Sequence, residues 1–254
     1  MKRSHWSIPY VVFMAIFVVL PLVLVMVYAF QDGTGHFTLA NITRFFTDAD
    51  ALTTFAVSLE IAIENTLICI LLGYPAAWIL ANKDLNRSAI TIILFIMPMW
   101  INALMRTLAT AEIFNMLGIR LGKGTLLFGM VYDYLPFMIY PIYNVLAKMD
   151  KSYQEAAQDL GATPWKVFWK VTIPLSMPGV WSGVLMVFMP TVSTFAISEF
   201  LTNNKIKLFG TIIQENINSS MWNYGAALAF FMLIIIGITT LFTGDQKEAE
   251  EALI

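Results

Sequence analysis

The chain has 254 residues, of which 58% are hydrophobic and 13% are charged, about half the charged fraction of a soluble domain. Its formal net charge of −2 argues against a nucleic-acid-binding surface, and a single cysteine, Cys69, excludes a disulfide framework or a cysteine-rich metal site. With a mean hydropathy of +0.71, the chain is predicted to be an all-α polytopic membrane protein.

Six apolar runs are long enough to cross a bilayer, whose hydrocarbon core takes about 20 helical residues. They cover residues 8–30, 56–81, 89–111, 125–147, 179–200 and 224–242. The first run is too long for the apolar core of a secretory signal and no small-residue cleavage site follows it. We therefore interpret it as a retained span and expect residues 1–254 to form a single transmembrane domain.

The distribution of basic residues predicts the orientation of these spans. An even number of spans places both termini on one side, and nine of the 15 lysine and arginine residues fall on that side. They are Lys2, Arg3, Lys83, Arg87, Lys148, Lys151, Lys166, Lys170 and Lys247. Because positive charge is enriched in cytoplasmic loops, both termini and residues 148–178 are predicted to be cytoplasmic.

Residues 148–178 form a polar segment between the fourth and fifth spans and are predicted to contain two short helices. Ser152 and Glu155 have the spacing of a capping box, and Gly161 suits a left-handed C-terminal cap. Thr163 followed by Pro164 suits the start of the second helix. Local propensity alone is equally consistent with an ordered loop between two spans.

Aromatic residues and prolines mark the second of these helices. Trp165, Phe168 and Trp169 form an apolar stripe at helical spacing. Pro174 and Pro178 are expected to end the helix.

The same segment resembles the EAA loop of ABC importer permeases. The family pattern is E-A-A, three residues, G, nine residues and I-x-L-P, and this chain has Glu155-Ala156-Ala157, Gly161 and Val171-Thr172-Ile173-Pro174 at that spacing. The two departures, Val for Ile and Ile for Leu, are conservative. The resemblance implies a type I ABC importer permease fold, in which this loop is a cytoplasmic coupling helix that contacts a separate ATPase.

The residues implied in coupling to the ATPase share this loop. They are Glu155, Ala156, Ala157, Asp159, Gly161, Pro164, Trp165 and Pro174. In the family reading, Glu155 contacts the ATPase by charge, the two alanines allow close approach, and Gly161 sets the angle of the elbow.

Further stretches are similar to the permeases of spermidine/putrescine importers, namely residues 72–78, 131–138, 157–162 and 173–179. The resemblance implies four kinds of partner: a second permease of different sequence, an ATPase dimer, an extracytoplasmic substrate-binding protein and membrane lipid. It also implies the inner membrane of a bacterial cell. Uptake of another solute, such as thiamine, ferric ion or an amino-acid-like cation, and an ion-coupled secondary transporter are the alternatives.

The sequence contains no motif for ATP hydrolysis. Residues 118–125 superficially resemble a phosphate loop, but the glycine spacing is one residue short and Gly124 stands where a Ser or Thr must bind magnesium. We therefore expect no catalytic residue, no metal site and no cofactor in this chain, with ATP and magnesium bound by the partner ATPase.

Acidic residues cluster toward the predicted outer ends of the spans, at Glu60, Glu64, Glu112, Asp133 and Glu199. A charged side chain at the bilayer centre costs ~2.5–3.5 kcal/mol or more, so such residues usually face a cavity or a partner. Five carboxylates on one side would form an electronegative vestibule that attracts cations. They could instead lie among hydrated headgroups, and Arg106 could neutralise one of them.

Aromatic residues near Asp133 could hold ammonium groups by cation–π contact or could form an interfacial aromatic belt. The resulting candidates for the substrate path are Asp133, Glu199, Glu64, Glu60, Tyr132, Tyr134, Phe137 and Trp100. Prolines within the spans, at Pro98, Pro136 and Pro190, could shape a gate or serve packing alone.

Overall fold

The computed structural model describes residues 8–82, 85, 86 and 90–251. Four of the predicted cytoplasmic basic residues, Lys2, Arg3, Lys83 and Arg87, lie outside the described residues. The regular elements of the described part are helical, apart from an isolated antiparallel bridge between Gln31 and Phe37.

The helices are numbered here in chain order. They are α1 (Ile8–Ala29, with a π-helical turn at Ala15–Val19), α2 (Ala40–Thr47), α3 (Ala49–Ala81), α4 (Ile90–Ile96), α5 (Ala103–Met116), α6 (Lys123–Lys148), α7 (Ser152–Asp159), α8 (Pro164–Ser193, with a π-helical turn at Phe168–Thr172), α9 (Ala196–Thr202), α10 (Phe209–Asn218) and α11 (Trp222–Glu251). A 3₁₀ turn, Met97–Trp100, lies between α4 and α5.

Five of these helices, α1, α3, α6, α8 and α11, are long and apolar enough to cross a membrane, and the pair α4 and α5 gives a sixth crossing if it is counted as one bent span. The described structure therefore confirms the predicted all-α polytopic class.

The third span, predicted as one helix over 89–111, is broken by a 90° bend between α4 and α5. Pro98 lies in the 3₁₀ turn, where it cannot donate a helical hydrogen bond, and Ile101 is extended. Asn102 then begins α5 with its side chain, which accepts from the amides of Leu104 at 2.9 Å and Met105 at 3.4 Å. Pro98 followed closely by the N-cap residue Asn102 therefore separates two helices, although the apolar run is continuous and predicts a single span.

The second predicted helix of the polar segment does not end at Pro174 or Pro178, because α8 continues to Ser193. A π-helical turn at Phe168–Thr172 precedes Pro174, and its wider register makes room for the proline ring. Pro178 lies half-buried within the helix, and proline is tolerated inside transmembrane helices.

The core of the bundle is formed by α3, α6 and α8, with α3 and α6 parallel and α8 antiparallel to both. Gly183 and Gly179 allow α8 to approach α6 closely, since an added Cβ would meet backbone atoms of Met138 and Pro141. A buried hydrogen bond of 2.8 Å from Asn65 Nδ2 to Thr191 Oγ1 joins α3 to α8. This core carries the α7 loop at one end and the Glu60–Lys123 region at the other.

The end of the bundle opposite α7 is closed by α9 and α10. The Phe209 amide donates to Ser58 Oγ at 2.7 Å, and Thr125 Oγ1 donates to the Leu201 carbonyl at 2.8 Å. These bonds fix α9 and α10 across the starts of α3 and α6. The two predicted sites of the chain, the coupling loop and the carboxylates, therefore lie at opposite ends of one rigid core.

Candidate functional site

The start of α7 differs from the predicted capping box. Ser152 is the first helical residue, and Asp150 Oδ1 accepts from its amide at 2.9 Å. This bond, strengthened because a carboxylate is a better acceptor than a serine hydroxyl, lowers the pKa of the Asp150 carboxyl. Glu155 is exposed, and none of the ion pairs found among the described residues includes it.

The end of α7 confirms the predicted left-handed cap. Gly161 has φ +81°, the Gly161 amide donates to the Gln158 carbonyl at 2.8 Å, and the Ala162 amide donates to the Ala157 carbonyl at 3.0 Å. This is the Schellman pattern. Thr163 Oγ1 then accepts from the Lys166 amide at 3.4 Å, and Pro164 begins α8, as predicted.

We call residues 152–170, which comprise α7, the turn and the first part of α8, the coupling elbow. The residues that the motif singles out are largely on its surface: Glu155, Ala156, Asp159, Gly161, Pro164 and Trp165 are exposed, as is Pro174 just beyond it, and Ala157 is half-buried. Leu160 is 89% exposed and Trp165 is 70% exposed. Large apolar side chains exposed beside carboxylates in a polar segment are typical of a protein-docking surface.

Phe168 of the predicted aromatic stripe anchors the elbow to the core, while Trp165 and Trp169 are exposed. Phe168 packs edge-on against Trp78 of α3 at a ring distance of 5.7 Å, and against Trp169 at 5.8 Å. Gln154 Nε2 donates to Thr172 Oγ1 at 3.4 Å, which ties α7 to α8. A cavity of about 470 Å³, lined in part by Glu155, separates α7 from the end of α3.

At the opposite end, Lys123 joins two of the predicted path carboxylates. Its Nζ lies 2.6 Å from Glu60 Oε1 and 2.8 Å from Glu64 Oε1. Lys123 is not among the predicted path residues. The sequence does contain a signal for this ion pair. Glu60 and Glu64 are four residues apart and so share one face of α3, and Lys123 is the first residue of α6, which runs parallel to α3.

Asp133 is buried within the bundle, with its side chain 2% exposed. The Arg106 Nε atom lies 3.2 Å from Asp133 Oδ1, and Thr107 Oγ1 donates to Asp133 Oδ2 at 3.1 Å. Arg106 therefore neutralises Asp133 in particular, a pairing that the sequence left unassigned.

The remaining path candidates are distributed over three elements. Tyr132 faces Arg106, whose Cζ lies 5.6 Å from the ring centroid, and Tyr134 packs against Phe137 with ring centroids 6.3 Å apart. Trp100 is 84% exposed in the 3₁₀ turn, and Glu199 is exposed in the first turn of α9. In the described part of the chain, no group of three or more His, Cys, Asp or Glu side chains is arranged to hold a metal ion.

The chain belongs to the family of inner membrane components of binding-protein-dependent transport systems, whose family model matches residues 5–244. It is therefore a multi-pass transport subunit of the inner membrane that works with a substrate-binding protein, and it is not an enzyme.

The chain is similar to the spermidine/putrescine transport system permease protein PotB of Escherichia coli K12. The two are 34% identical over 223 residues, which cover 81% of each chain. PotB of Haemophilus influenzae is 30% identical over 246 residues, covering 87% of this chain and 86% of that protein.

Solved structures confirm the ABC importer permease fold. A bacterial ABC transporter involved in the import of the acidic polysaccharide alginate matches with a TM-score of 0.70 and 12% identity, covering 97% of this chain and 94% of that one. The MetNI methionine ABC transporter matches with a TM-score of 0.63 and 14% identity, covering 78% and 94%.

Proposed function

We propose that this chain is one of two permease subunits of an ATP-driven importer of spermidine and putrescine, and that it forms half of the path through the membrane. The observation that carries the proposal is the 34% identity to a spermidine/putrescine permease over 81% of the chain. The exposed coupling elbow and the carboxylates at the opposite end of the core support it, since an importer of polycations needs both.

The assembly that we propose contains three further protein components. A second permease of different sequence encloses the path, an ATPase dimer binds ATP and magnesium on the cytoplasmic side, and a substrate-binding protein docks outside. Both termini of this chain are cytoplasmic, residues 1–254 form one transmembrane domain surrounded by lipid, and the chain itself binds no cofactor.

The coupling elbow docks in a groove of the ATPase. Glu155 and Asp159 offer charge, Ala156 lets the helix approach closely, and the exposed Leu160 and Trp165 supply apolar contact area. Since α8 runs without interruption from the elbow to Ser193, a length of about 45 Å, movement of the elbow reaches the far end of the core. Closure of the ATPase dimer thus drives alternating access by rigid-body motion.

The substrate path begins at the opposite end. Glu199 and the one net negative charge that Glu64 and Glu60 keep beside Lys123 raise the local concentration of cations. The aromatic faces of Trp100, Tyr132, Tyr134 and Phe137 hold ammonium groups by cation–π contact on the way to Asp133. The exposure of Trp100, Tyr132 and Glu199 supports their place along this path.

Uptake of radiolabelled spermidine and putrescine, by cells that express the complete complex, tests the proposal. We expect wild type to import polyamine, Glu155→Lys to abolish uptake and Glu155→Gln to weaken it. Glu215→Gln is the matched control, because Glu215 pairs with Lys207 in an exposed ion pair of small energetic value. Absence of polyamine uptake by wild type would show that the substrate is another solute.

A further inference from the structure

The ion pair between Arg106 and Asp133 is buried but incomplete. Its side chains are 6% and 2% exposed, and Arg106 Nε lies 3.2 Å from Asp133 Oδ1. Asp133 Oδ1 accepts no hydrogen bond from the described residues, so the pair lacks the two parallel hydrogen bonds that an arginine and a carboxylate commonly form. Among the described residues, Arg106 Nε, Arg106 Nη1 and Asp133 Oδ1 have no hydrogen-bond partner. A buried ion pair with unfilled hydrogen-bonding capacity contributes little to stability.

Arg106 stands between Asp133 and a cavity. The cavity has a volume of about 610 Å³ between α5 and α6, and Arg106 and Tyr132 line it together with apolar residues that include Phe114 and Phe128. Asp133 is not part of its lining. A cation that enters the cavity therefore meets aromatic faces and the guanidinium group first, and it reaches the carboxylate by displacing that group.

We propose that Arg106 is a resident counter-cation for Asp133, and that an ammonium group of the transported polyamine takes its place at the carboxylate during transport. The inference rests on the proposed function. Exchange of one cation for another keeps Asp133 neutralised throughout, so no bare carboxylate is exposed to the low-dielectric interior. The displaced guanidinium moves onto the Tyr132 ring, near which it already lies.

The cavity gives the Arg106 side chain room to move. Arg106 lies in the first turn of α5 and lines the cavity, so its side chain can turn away from Asp133 while the backbone of α5 stays in place. Thr107, which follows it, donates to Asp133 Oδ2 and keeps the carboxylate oriented while Oδ1 changes partners.

The test is the KM for uptake of radiolabelled spermidine by the complete complex, measured with the amount of each variant in the membrane. Arg106→Met removes the competing cation, so we expect KM to fall about tenfold and the maximal rate to fall because release slows. Asp133→Asn removes the binding group, so KM rises about tenfold. The double variant has no charge left to exchange, and its KM stays as high as that of Asp133→Asn.

Arg120→Met is the matched control, since Arg120 is an exposed arginine outside this cluster, and its KM is expected to equal that of wild type. A purely structural ion pair gives another pattern. Both single variants are then depleted from the membrane, and the double variant returns to the wild-type amount. The KM of every variant equals that of wild type. That pattern overturns the exchange. Because the double variant contains no unpaired buried charge, its KM decides between the two even where the single variants are depleted.

Failure of the proposed function gives a third, distinct result. If wild type is present in the membrane and imports neither spermidine nor putrescine, the proposed function is wrong and the exchange fails with it. If wild type imports polyamine and Arg106→Met, Asp133→Asn and the double variant share its KM, the exchange alone is wrong.

Discussion

Gly161 sets the angle of the coupling elbow through backbone conformation alone. Its φ is +81°, and nothing lies within 4 Å of the position that a Cβ would occupy. Gly161→Val should therefore cost about 1–2 kcal/mol locally without a clash, misalign α7 and lower polyamine uptake several-fold at a normal membrane level. Gly161→Asn should retain more uptake, since asparagine tolerates the left-handed region.

The control for this prediction is Gly124→Ala, because Gly124 also has open space around it but has no positive φ. Uptake per molecule in the membrane is the quantity to compare. A Gly161→Val rate equal to that of Gly124→Ala would show that the elbow angle does not matter for coupling.

Asp48 links the stability of the chain to pH. It caps α3 through the amides of Asp50 and Ala51 and accepts from the Tyr224 hydroxyl at 2.9 Å. The Tyr224 bond, followed by those amides, lowers the pKa of the Asp48 carboxyl. A carboxyl whose folded pKa lies below its unfolded value stabilises the fold above the unfolded pKa, and this stabilisation is lost as the pH falls through the folded one.

We therefore expect the melting temperature of the purified protein in detergent to fall as the pH is lowered from about 5 to about 3. In Asp48→Asn the melting temperature at neutral pH should be lower and this part of the pH dependence smaller. Tyr224→Phe removes one of the three hydrogen bonds to Asp48, so its melting temperature should lie between those of wild type and Asp48→Asn. An unchanged pH dependence in Asp48→Asn would contradict this account of the α3 cap.

At the residue scale, the sequence predicted local features well and the pairing of distant residues poorly. The left-handed cap at Gly161 depends only on residues close to it in the chain, so the sequence predicts it correctly. The Arg106–Asp133 and Lys123–Glu60 pairs join different helices, and their partners depend on how α3, α5 and α6 pack. The predicted Ser152 capping box was wrong because α7 begins one residue earlier, so that Lys151 is the N-cap residue and Ser152 is the first helical residue.

At the scale of the elements, the contact between α10 and the end of α8 depends on Gly210. A Cβ at this position would overlap the backbone carbonyl of Ser193 and crowd that of Thr194. Gly210→Ala should therefore destabilise the protein by ~1–3 kcal/mol, which lowers the melting temperature by roughly 2–10 °C.

Two other glycines provide matched controls. An added Cβ at Gly129 would meet the end of the flexible Leu201 side chain, and one at Gly237 would meet nothing within 4 Å. Gly129→Ala should cost less than Gly210→Ala, and Gly237→Ala should be neutral or slightly stabilising, because alanine favours a helix by up to ~1 kcal/mol over glycine. Equal melting temperatures for all three variants would contradict the close contact at Gly210.

The apolar runs in the sequence predict where the membrane-spanning helices lie but not where those helices are interrupted. Each predicted span contains or overlaps a helix, since a run of apolar residues is a one-dimensional signal. Whether a proline ends a helix depends on the space around its ring. At Pro174 the preceding π-helical turn provides that space and α8 continues. After Pro98 the chain bends by 90° and Asn102 begins a new helix. Such outcomes depend on three-dimensional packing.

At the scale of the whole molecule, α8 joins the end of the bundle that carries the coupling elbow to the end that carries the carboxylates. It begins in the coupling elbow, passes through the core beside α3 and α6, and ends at Ser193, where α10 packs against it. We propose that the close contacts of Gly179 and Gly183 with α6 let α8 transmit a displacement of the elbow to the region of the carboxylates. This arrangement suits an importer whose energy source is a separate ATPase.

The most direct test is spermidine accumulation in proteoliposomes that contain the complete complex, with ATP on the side of the ATPase and no ion gradient. We predict accumulation that requires ATP and is lost in Glu155→Lys, while Glu215→Gln accumulates as wild type does. Accumulation driven by an ion gradient without ATP, or ATP-driven accumulation that Glu155→Lys leaves intact, would contradict the proposed role of the coupling elbow.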